Sequence, residues 1–97
     1  MLKIEDLEEI KEWLRIDNDE EDRQLSSLIL SARAIIKSAT GVTREDVEEN
    51  IDALNLYKMI EKLEVSMIYE GSLKDTTNKG LIALYMQLEG SVLNDKM

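Results

Sequence analysis

The sequence predicts an all-α protein, a single small domain of four to five helices around one central, nearly all-round apolar helix. Three observations predict it. The 97 residues draw their 43% hydrophobic fraction mostly from Leu, Ile, Ala, Val and Met, with no Pro, no Phe and only four Gly, a vocabulary of good helix formers. Apolar residues recur at spacings of three and four along most of the chain, the period of a helix with one buried face. Asp, Asn, Thr and Gly fall where those stripes start and stop, as helix caps do. No linker, repeat or low-complexity tract divides the sequence, so residues 1–97 read as one domain. A chain of this length buries roughly two-thirds of its unfolded surface, and a partner that covered more would add to a modest stability.

Ile4, Leu7, Ile10 and Leu14 form one stripe and set a first helix at about residues 4–15, with Trp13 at its edge. Asp17, Asn18 and Asp19 are turn and cap residues, and Asp19 with Asp22 resembles a capping box; a second helix is therefore expected over 19–40. Its stripe is Leu25, Leu28, Ile29, Ala32, Ile36 and Ala39, with Ile35 beside it, and Gly41 supplies the left-handed stop. Thr43 and Asp46 make another capping pair flanked by Val42 and Val47 at staple positions, which predicts a short helix over 43–50. From 51 to 70, Ile51, Leu54, Leu56, Tyr57, Met59, Ile60, Leu63, Val65, Met67 and Ile68 cover most of the helix circumference. Such a helix is surrounded, either at the centre of the domain or with one flank covered by another subunit. Gly71 and Ser72 end it, and Leu73 to Lys79 read as a polar connection with Thr76, Thr77 and Asn78 as caps. The last helix, over 78–93, carries Leu81, Leu84, Tyr85, Leu88 and Val92 on one stripe, and the tail beyond Leu93 is expected to fray.

Composition also bounds the chemistry. The absence of Cys and His removes disulfides, thiolate metal sites, thiol nucleophiles and the commonest general base. An EF-hand loop opening at Asp17 needs Gly at its sixth place and Glu at its twelfth, where this chain has Asp22 and Leu28. Carboxylate pairs such as Glu8/Glu12 and Glu45/Glu49 share helix faces but come with no nucleophile or phosphate loop. No enzyme and no cofactor is expected. The first residues, MLKIEDLEEI, are too acidic for a signal peptide, and no apolar run is long enough to span a bilayer; a soluble protein made in a cytosol is expected, with no membrane partner. The net charge of −9 argues against tight binding to phosphates. Residues 1–24 hold ten acids against four bases. That concentration is either a solvated face with acids at a helix start or a surface that repels DNA. Trp13, Leu30 and Met86 lie off the main stripes, as does Leu93, and Met59 and Met67 sit on the all-round apolar helix. They are either scattered surface hydrophobes or a subunit interface, for which Trp13, Leu30, Met59, Met67 and Met86 are the candidates.

The ordered pattern Leu7-x-x-Ile10-Lys11-x-Trp13-Leu14-Arg15-Ile16, Asp17-x-Asp19-x-x-Asp22, Leu25-x-x-Leu28-Ile29-x-x-Ala32 and Thr40-Gly41 resembles the opening of the small head-to-tail connector proteins of tailed bacteriophages and prophages. Asn78-x-Gly80-Leu81-Ile82-x-Leu84-x-x-Gln87-Leu88 is similar to that family's closing helix, with Glu89 where an Arg often follows. The resemblance implies a non-catalytic, all-helical virion assembly protein at the head–tail junction. It implies a ring of about a dozen copies that docks beneath the portal and prepares a surface for the next connector or tail-completion protein, with DNA only passing through. Asp17, Asp19, Glu20 and Glu21 are then candidates for the channel wall or ring edge. Two other readings stay open: an acidic helical adaptor that binds a phage or host protein as a monomer or dimer, and a small DNA-packaging or regulatory factor. The latter would need a basic face, which Arg33, Lys37, Lys58 and Lys62 are too scattered to make.

Overall fold

The computed structural model describes residues 2–71 and 79–96, and side chains within 2–71 and 81–92. Five helices follow one another: α1 (Ile4–Leu14), α2 (Asp22–Thr40), α3 (Arg44–Val47), α4 (Ile51–Tyr69) and α5 (Lys79–Lys96). No strand occurs among the described residues. Helix α4 touches each of the other four, so the central position expected for it is the one it has.

The core lies in two clusters. Ile36, Val42, Val47, Ala53, Tyr57, Ile60, Leu81, Leu88 and Val92 join α2, α3, α4 and α5 in the larger one. Ile10, Ile29, Ala32 and Val65 join α1 to α2 and α4 in the smaller. Helix α1 therefore enters the fold through different contacts from α5. The circumference of α4 is less apolar in place than in sequence, because Glu61 and Glu64 are buried on it while Ile51 and Met59 are exposed. On α1, Ile4 is exposed and Asp6 and Lys11 are buried; on α2, Ala39 faces solvent.

Helix ends explain most boundary differences. Helix α1 stops at Leu14 because Arg15 adopts the left-handed conformation, φ 59°. Its N–H bonds to the Glu12 carbonyl and that of Ile16 to the Lys11 carbonyl, a Schellman closure in which Arg occupies the place usually given to Gly. Helix α2 begins at Asp22, not at Asp19, and Glu21 before it makes no side-chain cap. The Asp19 carboxylate that was expected to cap is taken by the Lys11 ammonium at 2.6 Å, since a charge-assisted bond outcompetes one to a backbone N–H. At the other end Thr40 and Gly41 act together. The Thr40 hydroxyl donates to the Ile36 carbonyl at 2.7 Å and accepts from the Val42 N–H at 3.0 Å, while Gly41 turns the chain at φ 76°. A Cβ at Gly41 would touch nothing within 4 Å, so conformation rather than space requires glycine there.

The Thr43–Asp46 capping box forms in both directions, and Val42 and Val47 are both buried around it. Helix α3 nevertheless ends at Val47, short of residue 50, because Asn50 leaves the helical path to cap α4 by accepting the Ala53 N–H at 3.2 Å. Gly71 is left-handed, φ 74°, after α4 ends at Tyr69. The expected roles of Ser72, Thr76, Thr77 and Asn78 lie outside the described residues. Helix α5 continues to Lys96, past the expected end, since 91–96 contain no Gly or Pro to stop it.

Candidate functional site

Three surface or near-surface features could take part in assembly, and each grows from particular side chains. The first is the acidic elbow between α1 and α2. Asp17, Asp19 and Glu20 are exposed and Glu21 is half-buried. Asn18 accepts the Glu20 N–H at 3.1 Å, and the Asp22 N–H reaches the Asp19 carbonyl at 3.3 Å, so the turn is closed by its own backbone. Beneath it the buried Lys11 ammonium meets Asp19 at 2.6 Å and Asp22 at 3.0 Å. Its hydrogen bonds to Asp19 and Asp22 hold its pKa above the ordinary lysine value. Glu21 accepts a hydrogen bond from the Tyr69 hydroxyl, which raises the tyrosine pKa and ties the elbow to the end of α4. Four acids in sequence thus divide into two that hold the elbow, Asp19 and Glu21, and two, Asp17 and Glu20, that face solvent.

The second feature is a buried charge cluster. Arg33 of α2 donates to Asp6 of α1 at 2.9 Å and to both oxygens of Glu61 of α4 at 3.4 Å. Arg44 of α3 approaches the other Asp6 oxygen at 3.9 Å. Burial alone would weaken the Arg33 charge, but Glu61 and Asp6 more than offset it and its pKa rises. The Glu61 carboxyl is pushed up by burial despite Arg33, because its guanidinium contacts are long and Asp6 shares the same cation. Close by, burial drives the Tyr57 phenol up to about 12; its hydroxyl and the Arg44 Nε and Nη1 have no hydrogen-bond partner among the described residues. Sequence reading missed Asp6, Lys11, Arg44 and Glu61 and placed Arg33 among scattered surface bases. The signal was register: Arg33 stands four residues after Ile29 and three before Ile36, and Glu61 stands four after Tyr57, on faces that the apolar stripes already mark as buried.

The third feature is a groove of about 590 Å³ between α1 and α4, floored by Trp13, Met59 and Leu63 and edged by Lys58 and Lys62. Trp13 and Met59 are each about half exposed. The Trp13 indole donates to the Ser66 hydroxyl at 2.6 Å, which fixes the ring across the helix pair, and the Lys62 ammonium lies 5.8 Å from its centroid, within cation–π range. Lys58 is paired with Glu9 at 3.1 Å. A smaller hollow on the other side of Trp13, about 380 Å³, is lined by Arg15, Tyr69 and Glu70 among others. Of the other apolar candidates, Leu30 and Met86 are exposed on α2 and α5, whereas Met67 is half-buried against the larger core cluster. The structure therefore brings Trp13 and Met59 together in one groove, while Leu30 and Met86 stand outside it on α2 and α5.

Among the described residues no group of acids converges to hold a metal ion, and no helix is long and apolar enough to cross a membrane. A family described as phage gp6-like head-tail connector protein matches residues 4–85. Neither a curated protein nor a solved structure gives a significant match.

Proposed function

The chain belongs to the phage gp6-like head-tail connector family, a family of structural phage proteins, and on that premise we propose that it assembles with copies of itself into a ring beneath the portal and forms part of the DNA conduit. The observation that carries this is the extent of the family match, from the start of α1 into α5. Physical features support it. The groove and the exposed Leu30 and Met86 offer apolar surface for subunit contacts, while Met67 supports the core beneath. The chain carries 21 acids against 12 bases, and Lys11, Arg33, Arg44 and Lys58 are paired with carboxylates, so the charge that meets DNA is predominantly negative. The partners are then the portal above and a downstream connector or tail-completion protein below, within the virion. A phage deprived of this protein should accumulate filled heads that fail to join tails; normal yields of complete particles would refute the assignment.

In this reading the elbow acids face the channel or the ring edge, where their charge keeps passing DNA from adhering. Changing Asp17 and Glu20 to Lys, the two elbow acids not engaged in tertiary contacts, should leave the fold intact and slow packaging or ejection. Unchanged DNA passage in assembled particles would remove the elbow from the conduit.

A further inference from the structure

The groove between α1 and α4 has a match on α5 of the same chain. Along α5, Ile82, Met86 and Glu89 stand at positions i, i+4 and i+7, the spacing at which a helix presents one ridge to a groove. Ile82 is 48% and Met86 67% exposed, while the buried stripe of α5, with Leu81, Leu88 and Val92, faces α4 and the larger core cluster. Ile82 and Met86 therefore project from a flank the domain leaves uncovered, with Glu89 half-buried beside them. The ridge ends in that acid.

The groove offers the complementary order. Trp13, Met59 and Leu63 supply its apolar lining and Lys62 a cation, while the Glu9 that also lines it is paired with Lys58. Lys62 makes no ion pair among the described residues, unlike its neighbour Lys58. In a chain of net charge −9, an apolar groove edged by lysine selects an occupant with apolar anchors and a carboxylate. The α5 ridge has both. Within one copy the ridge is not seated in the groove, since Ile82, Met86 and Met59 all stay about half exposed or more. The two faces are free to meet between copies. Unless it is reciprocated in a two-fold dimer, a contact between two different patches is heterologous, and repeated it closes a ring or extends a filament.

We infer that the α5 ridge of one copy, Ile82, Met86 and Glu89, seats in the α1–α4 groove of the next, with the two apolar side chains on Trp13 and Met59 and Glu89 against Lys62. This rests on the ring reading above and names its faces. Because the chain has no Cys, two introduced thiols are unique handles. The variant K62C/E89C, treated with a short bismaleimide under conditions where native mass spectrometry shows the wild type assembled, with portal present if needed, should give a ladder of covalent species beyond dimer. K62C alone should stay uncross-linked. The charge reversals Lys62→Glu and Glu89→Lys should each raise the concentration for half-assembly by about tenfold, and the double reversal should recover much of the loss. Met86→Glu, at an exposed site, should weaken assembly at least as much without lowering Tm. Assembled wild type with no ladder, cross-linking confined to dimers, efficient cross-linking of K62C alone or of portal in place of a second copy, or unchanged assembly in the reversals would each overturn the pairing while leaving the ring itself standing. A wild type that never assembles, with or without portal, overturns both.

Discussion

Glu64 faces α5 with only 6% of its surface exposed and accepts a hydrogen bond from the Tyr85 hydroxyl. No cation among the described residues balances it, and burial pushes its carboxyl above the ordinary value of 4.5. In the folded state it binds its proton more tightly than in the unfolded chain. Its contribution to stability is therefore fully present below about pH 4.5 and is lost as pH rises through the raised folded value. Glu64→Gln keeps an acceptor for Tyr85 and removes the charge. At neutral pH it should stabilise by on the order of 1 kcal/mol, about 4–8 °C in Tm for a domain this size. Thermal unfolding at several pH values checks this: the gain should shrink as pH falls toward 4, and a pH-independent gain or a loss at pH 7 would contradict it.

At the scale of elements, Arg33 clamps α1, α2 and α4 through Asp6 and Glu61. Removing the cation leaves two buried carboxylates that repel each other, so Arg33→Leu should cost about 3–5 kcal/mol, a large share of the stability of a small domain. Replacing Asp6 and Glu61 by Leu as well should restore most of it. Urea denaturation of the single and triple variants gives the comparison, and a single variant as stable as wild type would contradict the clamp. The same cluster marks the limit of sequence reading. The five helices, the Thr43 capping box and the Gly41 stop were legible because each depends on residues a few positions apart. Asp6, Arg33 and Glu61 were not, since a charged residue at a stripe position declares itself buried only when its partner, here 27 or 28 residues away, is brought beside it. The start of α2 was misplaced for the same reason: Lys11 claims Asp19 across eight residues.

The molecule measures 44 × 30 × 18 Å, a slab rather than a sphere, and it leaves apolar side chains exposed on every long helix: Trp13 on α1, Leu30 on α2, Met59 on α4, Ile82 and Met86 on α5. Half-exposed Trp and Met on a domain this small suit a subunit that is completed by neighbours. The exposure of Trp13, Leu30 and Met86 was legible in sequence from their positions off the main stripes, whereas that of Met59 and the half-burial of Met67 on the all-round apolar helix were not. Nor was the groove, because it needs α1 and α4 side by side. The central claim is that this chain works as a ring-forming connector subunit, and native mass spectrometry with negative-stain imaging of the purified protein, alone and mixed with its portal, tests it most directly. Closed rings of uniform subunit number, formed alone or on the portal, are the predicted result; a monomer or dimer at every concentration, unchanged by portal, would contradict the account.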